Sequence, residues 1–423
     1  MPTIAYLANL FPSPVEPYVI DEIRELRRRG VTVVPCSARR VASKLDQDLR
    51  AFAAETLYLQ PLQITSLFRA AWLCIAKMPV LLDFFRYILF QRGESIERRL
   101  RALLHTLLGA YCAALLRDHH ADHIHVHHGY FGSWVAMVAA RVLGINFSMT
   151  LHGSDLLIHP AFLALKLKQC TLCVTISDFN RRHILTHYPG AVPEKILVRR
   201  LGVDDRVRPL IPSSTERNPA FSILTVGRLH PVKNHAFLVQ ACWLLKCRGL
   251  RFVCRIAGDG QQRKVIEGMI RDFNLQAEVR LLGQLSRHEL DQEYERADLV
   301  VLTSHSEGIP LVLMEAMVRG KAVLAPAITG IPELIVNRET GFLYKAGSLD
   351  EFMARVAYVM HAQPSLGPLR RAARAHVRKH FNREINLAAV CDLFAPCLEP
   401  QSIHVSDIPP EIVSVAHENP LLQ

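Results

Sequence analysis

Ser304-His-Ser-Glu307-Gly-Ile-Pro310-Leu-Val-Leu-Met-Glu315-Ala-Met-Val-Arg-Gly320 is the stretch that decides the fold. It follows a short apolar run, Leu299–Thr303, that reads as a strand. A loop with Glu307 and Gly308 comes next, and Pro310 is expected at the first position of a helix, where a missing N–H costs nothing. The amides of Gly308, Ile309, Leu311 and Val312 lie around that helix start. Such a helix end is worth roughly half a positive charge and suits a phosphate. Glu307 is expected at the mouth and Glu315 about two turns along. Carboxylates accept hydrogen bonds from hydroxyl pairs, so two at this spacing suit a ligand with sugars on both sides of a phosphate. Either glutamate alone reads as an ordinary surface acid; the Glu-Gly-x-Pro lead-in turns the reading toward function.

The alternation of strand and helix continues on both sides. Phe221–Val226, Phe252–Ala257, Val279–Leu282 and Ala322–Ala325 are short, apolar and followed by Gly, Ser or Pro. Upstream, Ile4–Ala8, Thr32–Cys36, His123–His127, Asn146–Leu151 and Leu172–Ile176 repeat the pattern around a helix at Tyr18–Arg29 that Gly30 stops. Between the halves, Pro209–Pro219 is rich in Pro, Ser and Asn and reads as a linker. At 423 residues the chain is too long for one ordinary core. The fold class is therefore α/β, as two parallel-sheet domains that bind ligands at the carboxyl ends of their strands.

Other motifs fall at those strand ends. Thr225-Val-Gly227-Arg228 is followed by Lys233, and two cations in a loop and first helical turn can clamp a diphosphate. Ala257-Gly258-Asp259-Gly260 is a tight strand–helix turn, where glycine serves conformation and ligand approach equally well. Leu151-His152-Gly153-Ser154-Asp155 ends a strand of the first half, and His152 can hydrogen-bond a sugar or orient a reacting group. His123, His125 and His127 share one strand face. They stand ~6–7 Å apart along it and lack a carboxylate, so the expectation is a strand beside the cleft and no metal. Cys170 and Cys173 have no second pair to complete a zinc site.

Lys+Arg exceed Asp+Glu by 11, which permits nucleic acid, an anionic membrane surface or a phosphorylated substrate. The basic residues are dispersed without interleaved aromatic residues, so no nucleic acid is expected. Ser66–Phe90 is apolar but broken by Arg69, Lys77, Pro79, Asp83 and Arg86. It reads as a buried helical hairpin ahead of a basic amphipathic surface on a membrane, and not as a spanning helix. The start of the chain lacks a signal-peptide pattern, which points to the cytoplasm.

Together these residues resemble the retaining, metal-independent glycosyltransferases of the GT-B fold, the group 1 set often called family 4. The likeness is best from Phe221 to Ala346 and extends over Ala121–Val203. Its hallmark is a pair of glutamates separated by seven residues, here Glu307 and Glu315. Ala327-Ile-Thr-Gly330-Ile-Pro-Glu333 matches the family's small-residue turn beside the donor. The resemblance implies two Rossmann-like domains facing across a cleft. Residues 1–212 form the acceptor-side domain and 213–385 the nucleotide-sugar domain; 386–400 are a helix returning to the first domain and 401–423 a tail.

It further implies that Arg228 and Lys233 hold the donor diphosphate, that Glu307 contacts the transferred sugar and Glu315 the ribose, and that His152 lies over the sugar ring. Gly227, Gly258, Gly283, Gly308, Ile309, Pro310, Leu311 and Val312 would line the donor site. The donor would be a UDP- or GDP-linked sugar, used as a substrate with no metal or other cofactor. The acceptor would be a glycan or lipid-linked glycan, reached by peripheral contact with an anionic membrane at its inner face. Phe11-Pro-Ser-Pro-Val-Glu-Pro17 departs from the glycine-rich loop of many members and resembles exopolysaccharide-type ones. A nucleotide-sugar epimerase or hydrolase on the same fold, or a non-catalytic binder of anionic ligands or membranes, are the competing readings. The first would consume donor without acceptor.

Overall fold

Short β-branched runs between amphipathic helices leave one arrangement open to this chain, parallel strands with helices on both faces. A computed structural model describes residues 2–13, 16–41, 45, 47–90, 93–158, 160–207 and 220–397. The first sheet has seven strands: β1 (Thr3–Leu10), β2 (Thr32–Arg39), β3 (Leu57–Tyr58), β4 (His123–His127), β5 (Asn146–Leu151), β6 (Leu172–Thr175) and β7 (Ile196–Val198). The second has six: β8 (Phe221–Val226), β9 (Phe252–Ala257), β10 (Val279–Gly283), β11 (Leu299–Val301), β12 (Ala322–Pro326) and β13 (Phe342–Tyr344). Their orders are β3-β2-β1-β4-β5-β6-β7 and β10-β9-β8-β11-β12-β13, and every pair is parallel. In each sheet the first strand sits centrally and the order reverses beside it, which creates the crevice where ligands bind.

Burial on both faces explains why the strands are continuously apolar. β12 is buried at every position, and so is β4 despite its three histidines. β3, β7 and β13 are two or three residues long, too short to leave a period in the sequence. The segment Pro209–Pro219, read as a linker, and the tail 401–423 lie outside the described residues.

The chain crosses between the two sheets twice. Val203 bridges Asn382, and the helix Arg383–Cys391 then packs on the helix Pro17–Arg28 of the first sheet. Phe394 and Val390 enter the apolar cluster around Tyr6, Ile20 and Ile23. Arg29 pairs with Asp392 at 2.6 Å.

Ser66–Phe90 folds as two helices, Ile64–Ala76 and Met78–Phe90, packed on the long helix Ile96–Leu116. Each buries only a narrow stripe, Ser66, Ala70 and Leu73 on one and Leu81, Phe84 and Ile88 on the other. The expected buried hairpin is therefore half exposed, because the two helices pack on the outside of the helix Ile96–Leu116 and nothing among the described residues covers their outer face. The helix through Ile96–His119 has the length and apolarity of a membrane span, and half of its apolar window is buried within the domain.

Candidate active site

Between the two sheets lies a cavity of ≈ 530 Å³. Its walls include Tyr18 and Glu22 from the first sheet's helix Pro17–Arg28, and Leu311, Glu315 and Arg287 from the second domain.

β11 ends at Val301 and the loop after it carries Glu307. Pro310 is the N-cap of the helix Leu311–Val318, one position before the first helical residue, with an extended ψ of 119°. The sequence had it inside the helix. Its carbonyl instead accepts the first intrahelical bonds, from Leu313 and Met314 at 3.1 and 3.4 Å. The Leu311 and Val312 amides precede those bonds, which keeps the helix start suited to an anion.

Lys233 ends a short 3-10 turn, Pro231–Lys233, after β8. Thr303 Oγ1 donates to the carbonyls of Lys233 and Asn234, and the His305 amide donates to Val232. The β8 and β11 loops are thus tied together. Lys233 Nζ lies 2.6 Å from Glu307 Oε1, which also accepts from Ser304 Oγ at 2.6 Å. The lysine stem lies against Gly227. Arg228 is exposed at the same rim and its charge reaches Glu16 and His128 of the first domain. Glu315 faces the cavity and accepts from Arg287 at 2.5 Å and Tyr294 at 2.9 Å.

Gly258 has a φ of 137°, and a Cβ there would stand 2.0 Å from the Gly227 carbonyl oxygen. Its amide donates to Gly283, which has a φ of 73°. Both glycines thus hold the strand-end turns that shape the Gly227–Lys233 loop.

Facing this, β5 ends in His152 and Gly153. Asp155, fully buried, accepts from the amides of Gly129, His152 and Gly153 at 2.8, 3.1 and 2.7 Å. Three amide donors on one carboxylate fix the loop. The Lys166 ammonium is buried beneath it and donates to the Gly129 and Tyr130 carbonyls. Burial pulls that lysine down to about 7. The loop touches the other domain directly. A Cβ on Gly308 would lie 2.2 Å from the His152 carbonyl oxygen, and one on Gly330 2.4 Å from the Gly308 carbonyl oxygen.

His152 stacks on Tyr18, with ring centroids 4.8 Å apart, and its Nε2 lies 3.0 Å from His127 Nδ1. Burial, then the neighbouring imidazoles, pushes the His152 pKa well down, so the ring is neutral near pH 7. Burial alone would lower His128 too, but its hydrogen bond to Glu16 and the charge of Asp155 outweigh that and raise it.

The strand histidines have a carboxylate after all. Glu22 comes from the helix Pro17–Arg28, and its ligand atom lies within 4.8 Å of those of His125 and His127. These atoms are already hydrogen-bonded, His127 to Glu22 and Tyr6, His125 to Ser148 and Thr150. The sequence argument missed Glu22 because it sits about a hundred residues upstream. Its signal was present: an acid on the helix face otherwise made of Val19, Ile20, Ile23 and Leu26. Glu333, read from the sequence only as part of the small-residue turn, has a second role. Its carboxylate accepts from the amides of Asp178 and Phe179 at 3.0 and 2.7 Å, capping a first-domain helix from the second domain, and pairs with Arg200.

Two family models divide the chain, glycosyltransferase family 4 over residues 15–207 and glycosyl transferases group 1 over 208–380. The amylovoran biosynthesis glycosyltransferase AmsK of Erwinia amylovora is 30% identical over 292 residues, 66% of this chain and 71% of that one. The chain belongs to the group 1 and family 4 glycosyltransferases. Solved structures agree on the GT-B fold. Sucrose-phosphate synthase from Thermosynechococcus elongatus superposes with a TM-score of 0.71 at 17% identity, covering 93% of this chain and 98% of that one. Anabaena Alr3699/HepE, in complex with UDP and glucose, gives 0.69 at 18% identity, covering 94% and 100%. In this glycosyltransferase Glu315 faces the cavity, while Glu307 and Lys233 pair beside the contact between Gly308 and the His152 loop.

Proposed function

We propose that this glycosyltransferase transfers a sugar from a nucleotide-sugar donor, with retention of configuration and without a metal ion, to a glycan or lipid-linked glycan in cell-surface polysaccharide biosynthesis. The observation that carries the reading is the gathering of Arg228, Lys233 and the Leu311–Val312 amides at one strand-end crevice with His152 opposite. In the reaction the bond from the anomeric carbon to the diphosphate breaks while the acceptor oxygen bonds on the same face. The acceptor proton passes to the departing phosphate oxygen. The charge that grows on the diphosphate is what the two cations and the helix start stabilise, the service a divalent ion performs in other enzymes. The Lys233–Glu307 pair gives the site a resting state. A diphosphate would take Lys233 and release Glu307 to accept from the sugar hydroxyls, while Glu315 serves the ribose.

The place in polysaccharide synthesis rests on the likeness to AmsK. The membrane-facing part rests on the outer helical layer. Phe68, Ile75, Phe90 and Ile96 are 73, 72, 81 and 78% exposed, and Trp72 and Leu104 lie among them. Isolated apolar side chains need no explanation, but a continuous layer of them marks an interaction surface. Lys77, Arg86 and Arg101 stand exposed within it against Asp83 and Glu97, which favours an anionic bilayer at the cytoplasmic membrane face.

The test is protection from thermal unfolding by a panel of UDP-, GDP- and ADP-sugars with EDTA present. Donor at 100 times its Kd adds about 2.7 kcal/mol. One nucleotide should protect, and Glu315→Ala should abolish the shift. No protection by any of them removes the donor reading, and protection only without EDTA removes metal independence. For the membrane, anionic vesicles should sediment the wild type but not a Phe68→Glu, Phe90→Glu double variant. A lipid-independent dimer lost in that variant would assign the layer to a second copy instead.

A further inference from the structure

We infer that Glu22 and His127 fix the tautomer of His152, leaving its Nδ1 as a hydrogen-bond acceptor turned to the cleft. The inference rests on the proposed place of His152 beside the transferred sugar. His127 is sealed from solvent, and Glu22 is 4% exposed. Both are ordered into a chain that runs from the first domain's core to the cleft.

The proton positions follow from the donors and acceptors available. The Glu22 carboxylate can only accept. Tyr6 O–H donates to it, which leaves the phenol oxygen an acceptor. His127 Nε2 lies 3.2 Å from Glu22 Oε2 and 3.3 Å from the Tyr6 oxygen. Facing two acceptors, Nε2 must carry the hydrogen. With its one hydrogen on Nε2, His127 presents a bare Nδ1, 3.0 Å from His152 Nε2. That contact is a hydrogen bond only if His152 Nε2 carries the proton. His152 Nδ1 is left with its lone pair. It has no hydrogen-bond partner among the described residues and is not sealed off as a buried unpaired atom. Its ring lies against Tyr18, a wall of the cavity.

The neighbouring strand histidine takes no part, because Ser148 and Thr150 occupy both nitrogens of His125. Charged and titratable groups around His152 come from every side: His127 at the end of β4 and His128 just after it, Asp155 below the loop, Glu16 through His128, Tyr18 on its helix, and Arg228 across the cleft. The function follows from the sign of one atom. A lone pair at Nδ1 accepts from a substrate hydroxyl and leaves that hydroxyl's oxygen free, whereas an N–H there could only donate to the oxygen. Glu22 and His127 are positioning residues that choose between the two.

Nitrogen-15 NMR of imidazole-labelled protein reads the tautomers directly. In the wild type both His127 and His152 should carry hydrogen at Nε2; hydrogen on Nδ1 of His152 would overturn the inference. Glu22→Gln keeps an accepting oxygen and should leave both tautomers in place. Glu22→Met leaves Tyr6 O–H no acceptor except His127 Nε2, so both rings should reverse. Sugar transfer should then fall at least about tenfold in kcat/KM with nucleotide protection unchanged, the scale of one lost hydrogen bond of 1.4 kcal/mol. Rings that do not reverse defeat the relay. Rings that reverse with full transfer defeat the role of His152 while the relay stands. If Glu22→Met does not fold, the wild-type spectrum decides alone.

Discussion

Replacing Gly308 with alanine tests whether the two domains must meet where the structure has them meet. The new Cβ would stand 2.2 Å from the His152 carbonyl oxygen and 2.4 Å from Ile176 Cδ1. Ile176 can turn aside, but the carbonyl belongs to a loop pinned by three hydrogen bonds to Asp155. Side-chain Cβ atoms keep at least 3.0 Å from such neighbours, so the gap must widen by the shortfall from 3.0 to 2.2 Å. With the His152 side pinned, the expected response is that the two domains part at this contact. A displacement of ~1 Å between reacting groups costs on the order of 10²-fold in rate. Steady-state transfer should therefore fall by about that factor, with kcat carrying the loss. Nucleotide protection should persist, since Lys233 and Glu315 belong to one domain. Transfer at the wild-type rate would refute the reasoning, and so would loss of nucleotide binding together with transfer, which would mean local collapse of the Glu307 loop.

Lys233→Ala removes a preorganised cation from the departing diphosphate and should lower kcat on the order of 10²-fold; unchanged turnover with the same donor removes that role. Gly268 lies in the helix Arg263–Asp272, and a Cβ there meets nothing within 4 Å. Gly268→Ala should add about 0.4–1 kcal/mol, seen as a higher Tm with full activity. Glu333→Ala takes the acceptor from the Asp178 and Phe179 amides, with the Ser177 cap left in place, and should cost about 1–2 kcal/mol in denaturant unfolding. Lys166 sits at about 7 when folded, below its ordinary value near 10.4, so between those values the unfolded chain binds the extra proton. Its contribution to stability rises with pH across that window and is flat below it. Lys166→Met should remove that rise, and an unaltered slope in pH-dependent unfolding would show that the lysine is not the group responsible.

The sheets were legible because burial on both faces writes itself as unbroken apolar runs. β4, β5, β8 and β9 begin and end at the residues read from the pattern. β3, β7 and β13, two or three residues long, escaped; β11 is as short, but its apolar run continues toward Thr303, just ahead of the Glu307 loop, which made it readable. The site divides along the same physical line. Glu307, Glu315, Arg228, Lys233 and His152 could be found because each lies in a strand-end motif whose neighbours in sequence are its neighbours in space. Glu22 and Glu333 could not be placed, because their work is done for residues more than a hundred positions away. Both acids are amphipathic misfits, one on an apolar helix face and one in a turn otherwise made of small or apolar residues. The two helices of Ser66–Phe90 misled the reading for a related reason. Hydropathy reports how apolar a face is, and the tertiary fold alone decides whether anything in the protein covers it. Here the helix Ile96–Leu116 covers only one side of those helices, so the same residues that looked like core supply an exposed surface.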